Sequence, residues 1–251
     1  MMSTDAKRWL SALFMDFVGP LVFMFMAGPT DAMTVTIVAN PGPFGTIEAA
    51  AAAERKVDWW DKDPEDDAAC TESFAATELR RFLAACAVTQ ESRIKLAYPS
   101  ELPSSGHVVV IGSGSSNAFL NGLDKAGDDA FAPSAAESFR VLAFSRDDRI
   151  MTVIKGRDRI GTLYGVYAYL EKLGWRFFGL GEQGTVAPMG KVQLPDTLDF
   201  AESPHYQSRG FWAWENRGNP DFFAWMARNR LNFWTIAAGQ DHHALKKLGM
   251  K

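Results

Sequence analysis

The stretch GRDRIGTLYGVYAYLEKLGWRFF, residues 156–178, has the most informative pattern of the chain. Apolar side chains recur within it at three- and four-residue spacing, which predicts a helix that begins at Arg159. The helix presents one apolar face and stops at Gly174, where a left-handed backbone is expected. The residues of that face are Leu163, Val166, Tyr167, Leu170 and Leu173. A helix with one apolar face packs against another layer, here a sheet.

Two glycines of this stretch, Gly161 and Gly165, are four positions apart on the predicted helix. Because they lack a Cβ atom, they let the helix lie close to the sheet. The aromatic residues that follow, Trp175, Phe177 and Phe178, are expected to cap the core beneath the helix. These roles are structural, so the stretch identifies a domain and predicts no chemistry.

Runs of β-branched and other apolar residues predict the strands of the sheet. The predicted strands are 35–38, 94–97, 108–111, 139–144 and 150–154, the last two joined as a hairpin. An earlier helix is predicted from the helical spacing of Ala75, Leu79, Phe82, Leu83 and Cys86. Strands interspersed with two long helices favour an α/β sandwich with a mixed sheet. Residues 44–67, with an acidic group near their end, are interpreted as a solvated loop.

A different pattern begins near residue 200. Residues 179–195 contain four glycines and two prolines, which predict a crossing to a second unit. A strand over 208–214, a helix with Pro220 in its first turn, a strand over 233–237 and a helix over 243–248 then follow.

Strand–helix–strand–helix at this spacing is how a (β/α)8 barrel opens. We therefore expect an accessory domain at 33–200, followed at 201–251 by the first one to two β/α units of a truncated TIM barrel. An unfinished barrel is expected to expose the apolar faces around Phe222, Phe233 and Trp234.

The first 32 residues have the layout of an export signal. Lys7 and Arg8 precede an apolar stretch over 9–27 that ends in small residues. Asp16 at its centre would be costly in the hydrocarbon of a membrane. Residues 1–32 are interpreted as a signal peptide, with a membrane anchor as the alternative, and the protein is expected to be secreted or periplasmic.

Charge and motifs argue against several classes of partner. The net charge of -4, without a lysine or arginine cluster, argues against nucleic acid. The loop 112–117 matches a dinucleotide-binding loop only in part, since Asn117 replaces its third glycine, and an enzyme using that loop is the weakest alternative. The adjacent His242 and His243 would point apart on a helix, so neither a cofactor nor a metal is expected.

The two cysteines, Cys70 and Cys86, are sixteen positions apart in or beside one predicted helix. A continuous helix would hold their Cα atoms beyond disulfide reach. We expect both thiols to be free.

Two stretches go beyond a generic pattern: residues 156–184, and residues 208–211 with 225–234. Together they resemble the N-terminal domain and first barrel unit of the α-glucuronidase and β-N-acetylhexosaminidase-like glycoside hydrolases. The resemblance covers most of residues 34–238. It implies a carbohydrate substrate, bound through the barrel of the parent enzyme, and no cofactor.

The resemblance also implies substrate-binding residues. In hexosaminidase-like enzymes an Arg-Gly at the start of the first barrel strand holds sugar hydroxyls, which implies this role for Arg209; a structural ion pair is the alternative. Those enzymes usually carry an aspartate four or five residues later, whereas this chain has Trp214 and Glu215. Trp212 and Trp214 share one side of the predicted strand, where they would stack on sugar rings or, alternatively, pack inside the barrel.

Glycoside hydrolysis needs two carboxyl groups beside the scissile bond. In the families resembled these lie on middle and later strands, so no catalytic residue is expected in this chain. We expect the non-catalytic N-terminal portion of a secreted glycoside hydrolase, with a stand-alone carbohydrate-binding or scaffold module as the alternative. Asn229 and Asn232 are interpreted as turn and cap residues at a helix end.

Overall fold

The computed structural model describes residues 33–86, 88, 93–120, 135–212, 219–234 and 241–251. Residues Met33–Lys251 form one compact unit. The predicted export segment, residues 1–32, lies outside the described residues. Among the helices that the structure describes, none has the length and apolar character needed to cross a bilayer.

The described strands and helices include the predicted ones, in the predicted order, and further short elements that the sequence pattern did not predict. The strands are β1 (Val35–Val38), β2 (Ile94–Ala97), β3 (Gly106–Ser113), β4 (Phe139–Arg146), β5 (Arg149–Gly156), β6 (Arg176–Phe177), β7 (Thr185–Val186), β8 (Leu198–Glu202), β9 (Gly210–Phe211) and β10 (Phe233–Trp234). The helices are α1 (Ile47–Ala51), α2 (Pro64–Ala85), α3 (Arg159–Lys172), α4 (Pro220–Arg228) and α5 (His242–Lys247).

The main sheet is mixed, with six strands in the order β2-β1-β3-β5-β4-β8. β1 pairs in parallel with β2 and β3, and β3 pairs in parallel with β5. β4 is antiparallel to both β5 and β8, which confirms the predicted hairpin. The domain boundary near residue 200 stays a prediction; β8, at the edge of this sheet, ends at Glu202.

Helix α3 is buried around its whole circumference. Every residue from Ile160 to Leu170 is buried, because α3 contacts the sheet, α2 and α4. A helix that is apolar all round belongs in an interior, and the predicted stripe is only one of its faces. The expected exposure of Phe222 and Trp234 is wrong, since they are 6% and 2% exposed and belong to the same core.

The two glycines of α3 sit at close contacts, as predicted. A Cβ atom on Gly161 would lie 2.2 Å from the carbonyl oxygen of Ser138, and one on Gly165 would lie 2.8 Å from Cγ2 of Ile154. Gly174 ends the helix with a φ of +103°.

Of the three aromatic residues predicted to cap the core, Trp175 and Phe177 are buried. Phe178 is 76% exposed, which contradicts the prediction. The physical reason is that Phe178 follows directly after the two-residue strand β6, where successive side chains point to opposite faces.

The segment interpreted as a loop is partly helical. It contains α1 and the start of α2, where the side chain of Asp63 accepts a hydrogen bond from the backbone N–H of Glu65. Acidic residues in a first helical turn interact favourably with the helix macrodipole. The acidic group is therefore a helix start. Cys70 and Cys86, in and at the end of α2, are both buried and free, as predicted.

Candidate functional site

Strands β9 and β10 form a separate parallel pair. Gly210 pairs with Phe233 and Phe211 with Trp234. Helix α4 connects the two strands and α5 follows, so the predicted order strand–helix–strand–helix is confirmed. Asn219 caps α4, and Pro220 occupies its first turn as predicted.

Glu137, in the loop before β4, contacts the residues that directly precede β9 and β10, Arg209 and Asn232. Its backbone is left-handed, with a φ of 62°, a conformation that costs on the order of 1–3 kcal/mol outside glycine. The backbone N–H of Glu137 donates to Oδ2 of Asp158 at 2.9 Å. Oδ1 of Asp158 accepts from the N–H groups of Ile160 and Gly161 at 3.1 and 2.8 Å. One carboxylate thus caps α3 and fixes the loop.

Three side chains donate to the carboxylate of Glu137. Nδ2 of Asn232 lies 2.9 and 2.8 Å from its two oxygens, Nζ of Lys251 lies 2.7 Å from Oε1, and Nη2 of Arg209 lies 2.5 Å from Oε2. Burial works to raise the pKa of Glu137, but these hydrogen bonds outweigh it and hold the pKa below its usual value. A carboxylate that stays ionised and is occupied by three donors is poorly suited to general acid–base catalysis.

Arg209 is held by protein groups. Its Nε donates to the backbone oxygen of Arg230 at 2.8 Å, and its Nη1 donates to that of Tyr206 at 2.6 Å. Its guanidinium carbon lies 5.8 Å from the ring centroid of Tyr164. Burial, followed by the charge of Glu137, raises the pKa of that tyrosine. Arg209 therefore forms the ion pair that the sequence left open as an alternative, and its contact with sugar stays a prediction.

A cleft of about 280 Å³ opens beside Arg209. Tyr164 lines it as a buried residue, whereas Tyr206 on the same cleft is 75% exposed. Glu202 and His205 add polar groups. This lining can accept and donate hydrogen bonds to a polar ligand.

Arg230 is a cleft residue that sequence reasoning missed. Its Nη2 lies 2.9 Å from Oε2 of Glu171 and its Nε lies 3.6 Å from Oε2 of Glu202. Its Nη1 is buried without a hydrogen-bond partner in the part of the chain that the structure describes. No sequence pattern distinguishes Arg230 from Arg228, two positions earlier, which instead pairs with the buried Glu78 at 3.1 Å.

The predicted aromatic residues are only partly described. Trp212 follows β9 directly and is 74% exposed. Trp214 and Glu215 lie outside the described residues. A shared face of Trp212 and Trp214 stays a prediction.

The two asparagines near the end of α4 behave differently. Asn229 caps the helix and donates through Nδ2 to the backbone oxygens of Phe177 and Trp225, which confirms the prediction. The interpretation of Asn232 as a cap is wrong. It is fully buried, accepts from the backbone N–H of Arg209 at 2.9 Å and donates to Glu137.

The loop after β3 is backed by a buried carboxyl group. Oε2 of Glu72, on α2, accepts from the hydroxyl of Ser116, and Oε1 accepts from that of Thr162 at 3.3 Å. Burial raises the pKa of Glu72 to about 7. Because the Ser116 hydroxyl already donates to this carboxyl group, it is not available to donate to a phosphate in the loop. Within the described ranges, no three His, Cys, Asp or Glu side chains are grouped so as to hold a metal.

No family model and no curated protein matches the chain. Among solved structures, a family GH115 4-O-methyl-α-glucuronidase with specificity for decorated arabinogalactans has a TM-score of 0.47 at 18% identity, over 72% of this chain and 26% of that one. CpGH84B has a TM-score of 0.42 at 15% identity, over 72% and 30%. A GH138 enzyme targeting pectin rhamnogalacturonan II has a TM-score of 0.38 at 13% identity, over 86% and 30%. The chain spans 26–30% of the length of these glycoside hydrolases.

Proposed function

We propose that this chain is the non-catalytic N-terminal portion of a secreted glycoside hydrolase that acts on complex carbohydrate, with an α-glucuronidase-like substrate. The observation that carries the proposal is the parallel β9–α4–β10 unit, which follows the sandwich and is joined to it through Glu137. A parallel β/α unit is the repeating element of the (β/α)8 barrel. The sequence resemblance over residues 156–184, 208–211 and 225–234 supports the same interpretation.

In this proposal residues 33–200 are the accessory domain and residues 201–251 begin the barrel. Residues 1–32 direct export. Barrel enzymes bind substrate at the carboxyl ends of their strands. Trp212, Trp214 and Glu215 follow β9 in the sequence, so we assign them to the substrate side. Arg209 precedes β9, and its three protein contacts favour an anchoring role, with the remaining N–H groups available to a sugar.

The reactive carboxyl pair is then supplied by later strands of the parent barrel. Glycosidase carboxyl groups stand about 5–9.5 Å apart and at least one must exchange a proton. Glu137, the buried carboxylate nearest β9 and β10, is committed to three donors. The chain contributes binding and support, and it needs no cofactor for this role.

The test is ligand binding and turnover by the purified chain, with xylo-oligosaccharides that carry glucuronic acid as the probe. We expect no release of glucuronic acid and weak binding in saturation-transfer NMR. Trp212→Ala should weaken binding about 3- to 10-fold, the loss expected for one aromatic contact. Trp60→Ala is the matched control, because Trp60 is a second exposed indole, at 59% exposure. Turnover that scales with pure protein would contradict the proposal, and so would absent binding or equal effects of the two variants.

A stand-alone carbohydrate-binding or scaffold module is the second candidate. It is favoured by the burial of Phe222, Trp234 and Leu248 in the common core, since they need no further barrel strands to cover them. The nucleotides after the Lys251 codon separate the two. Further in-frame strand–helix units support the hydrolase portion, whereas a stop codon together with sugar binding by calorimetry supports the module.

A further inference from the structure

A second cavity, of about 500 Å³, lies where the parallel strands β1, β2 and β3 end. Asn40 follows β1, Tyr98 and Ser100 follow β2, and Ser115 and Ser116 follow β3. These loops leave the sheet at one edge, because β1 pairs in parallel with both neighbours. We call this cavity the switch-point crevice. It shares no lining residue with the cleft beside Arg209.

The position of the crevice has a topological cause. β1 lies between β2 and β3, so the chain leaves β1 toward one side and then crosses to the other. At such a point neighbouring loops diverge and open a crevice beyond the carboxyl ends of the strands, and ligands of open α/β sheets bind there. The volume also falls within the range of about 300–1,000 Å³ that is usual for small-molecule sites.

The lining is neutral, since none of the described residues that form it is charged. The half-buried ring of Tyr98, with Pro41 and Pro99, supplies apolar surface. The side chains of Asn40, Ser100 and Ser115 supply uncharged hydrogen-bonding groups. Two of them also bond within the protein: Oδ1 of Asn40 accepts from the backbone N–H of Gly42 at 3.0 Å, and Oγ of Ser115 lies 3.1 Å from Oγ of Ser113, which leaves each the rest of its hydrogen-bonding capacity for a ligand. A flat aromatic ring beside uncharged polar groups matches a sugar, whose ring has an apolar CH face and a hydroxyl edge.

The walls of the crevice are held in place by the protein. Nδ2 of Asn40 donates to the backbone oxygen of Ser116 at 2.7 Å, which ties the loop after β1 to the loop after β3. The hydroxyl of Tyr98 donates to the backbone oxygen of Gly45 at 3.2 Å and so orients the ring. A site formed in advance loses less conformational entropy when a ligand binds.

The same loops are poorly suited to an anion. The hydroxyl of Ser116 donates to the buried carboxyl group of Glu72, and its oxygen accepts from the hydroxyl of Ser113 at 3.0 Å, so this hydroxyl has no proton left to donate to an anion. The backbone N–H of Ser113 is already taken by Oγ of Ser116 at 3.0 Å. Phosphate and carboxylate sites use cationic side chains and clustered backbone N–H groups, and the described lining has no cation.

We propose that the switch-point crevice is a binding site for a neutral saccharide, separate from the cleft beside Arg209 and independent of any barrel. The inference goes beyond the proposed function, because it assigns a ligand to the sandwich itself. Its recognition combines stacking on Tyr98 with hydrogen bonds to Asn40, Ser100 and Ser115.

The test uses the full chain in saturation-transfer NMR with glucose, galactose, xylose and arabinose, each free and as the disaccharide, and with glucuronate and inorganic phosphate as charged probes. Ser100→Trp and Ala118→Trp place a bulky ring in the crevice from exposed positions. Ser145→Trp is the matched control, since Ser145 is exposed at the opposite end of the sheet. Ser203→Trp fills the cleft beside Arg209 instead.

We expect at least one neutral saccharide to bind, with at least tenfold weaker binding in both crevice variants and unchanged binding in Ser145→Trp and Ser203→Trp. Thermal melting of each variant shows that it is folded, and shifts of the backbone amide signals of Tyr98, Ser100 and residues 113–118 report the location in the unaltered chain. No binding of any neutral saccharide, tighter binding of phosphate or glucuronate, or binding lost only in Ser203→Trp would overturn the proposal. The last result would leave the proposed function standing, so the two failures are distinguishable.

Discussion

Nδ2 of Asn232 lies 2.9 and 2.8 Å from the two carboxylate oxygens of Glu137, so one amide nitrogen is within hydrogen-bond distance of both. Both residues are buried. Hydrogen bonds to an ionised group are stronger than neutral ones, and here water cannot replace them. This contact joins the approach to β10 to the loop before β4.

Replacing Asn232 tests this joint. Asn232→Ala removes one donor from the Glu137 carboxylate and the acceptor of the Arg209 backbone N–H. We expect the free energy of unfolding in urea to fall by about 1–3 kcal/mol, as for a buried polar group left unpaired. Limited proteolysis should speed up within 201–251 more than within 33–200. Gln207→Ala is the control, because Gln207 contacts Asn232 only through its backbone oxygen. If both variants lost the same free energy of unfolding, the contact between Asn232 and Glu137 would not be what stabilises the protein.

The close packing of α3 predicts that alanine destabilises the protein more at Gly161 than at Gly165. Alanine is favoured over glycine in a helix by about 0.8–1 kcal/mol, which alone would stabilise. At Gly161 the new Cβ meets a backbone oxygen at 2.2 Å, whereas at Gly165 it meets a side-chain methyl group at 2.8 Å. We expect Gly161→Ala to destabilise by about 1–3 kcal/mol and Gly165→Ala by less, measured by thermal melting. A Gly161→Ala protein as stable as the parent would refute the close approach.

The buried carboxyl group of Glu72 predicts a pH dependence. Its pKa rises from 4.5 to about 7 on folding, so the native state keeps a proton that the unfolded chain loses between these values. Its contribution to stability is therefore full below pH 4.5 and is lost as pH rises to about 7, by on the order of 3 kcal/mol.

Glu72→Gln should remove this slope when urea unfolding is measured at several pH values. The buried His107, whose pKa burial lowers to about 4, contributes an opposite slope between pH 4 and 6.5. That contribution is common to both proteins and cancels in their difference. Identical pH profiles for the two proteins would exclude the buried carboxyl group as the cause.

The two cysteines should stay reduced even in an oxidising medium. Both are buried, and burial raises the pKa of the Cys70 thiol to about 12, which removes the reactive thiolate. A thiol reagent should label neither cysteine in the native protein and both after unfolding in guanidinium. A disulfide found by mass spectrometry of the unreduced protein would contradict the long α2 helix.

The sequence predicted elements whose signal is local. The β4–β5 hairpin and the α3 helix follow from apolar spacing and a turn within a few residues of each other. The sequence pattern did not predict the second buried face of α3, because the helices that cover it, α2 and α4, are both far from it along the chain. Which faces of a helix are buried depends on the segments that pack against it, and the spacing of apolar residues does not show which segments those are.

The joint between Glu137 and Asn232 spans 95 residues, and no spacing rule reaches that far. One signal was present: Asn232 stands between Leu231 and Phe233. A polar side chain within an apolar run needs a partner if it is buried. For Trp214 and Glu215, which lie outside the described residues, the sequence prediction stands alone.

The shared use of the Asp158 carboxylate sets an order of assembly. In the folded structure the Asp158 carboxylate holds both the loop that carries Glu137 and the first turn of α3. That contact closes a loop of 21 residues, whereas Glu137 and Asn232 close one of 95, and shorter loops lose less entropy on closing. We therefore expect the contact between Glu137 and Asp158 to form before the contact between Glu137 and Asn232. Residues 201–251 would then dock on a loop whose backbone is already held in place.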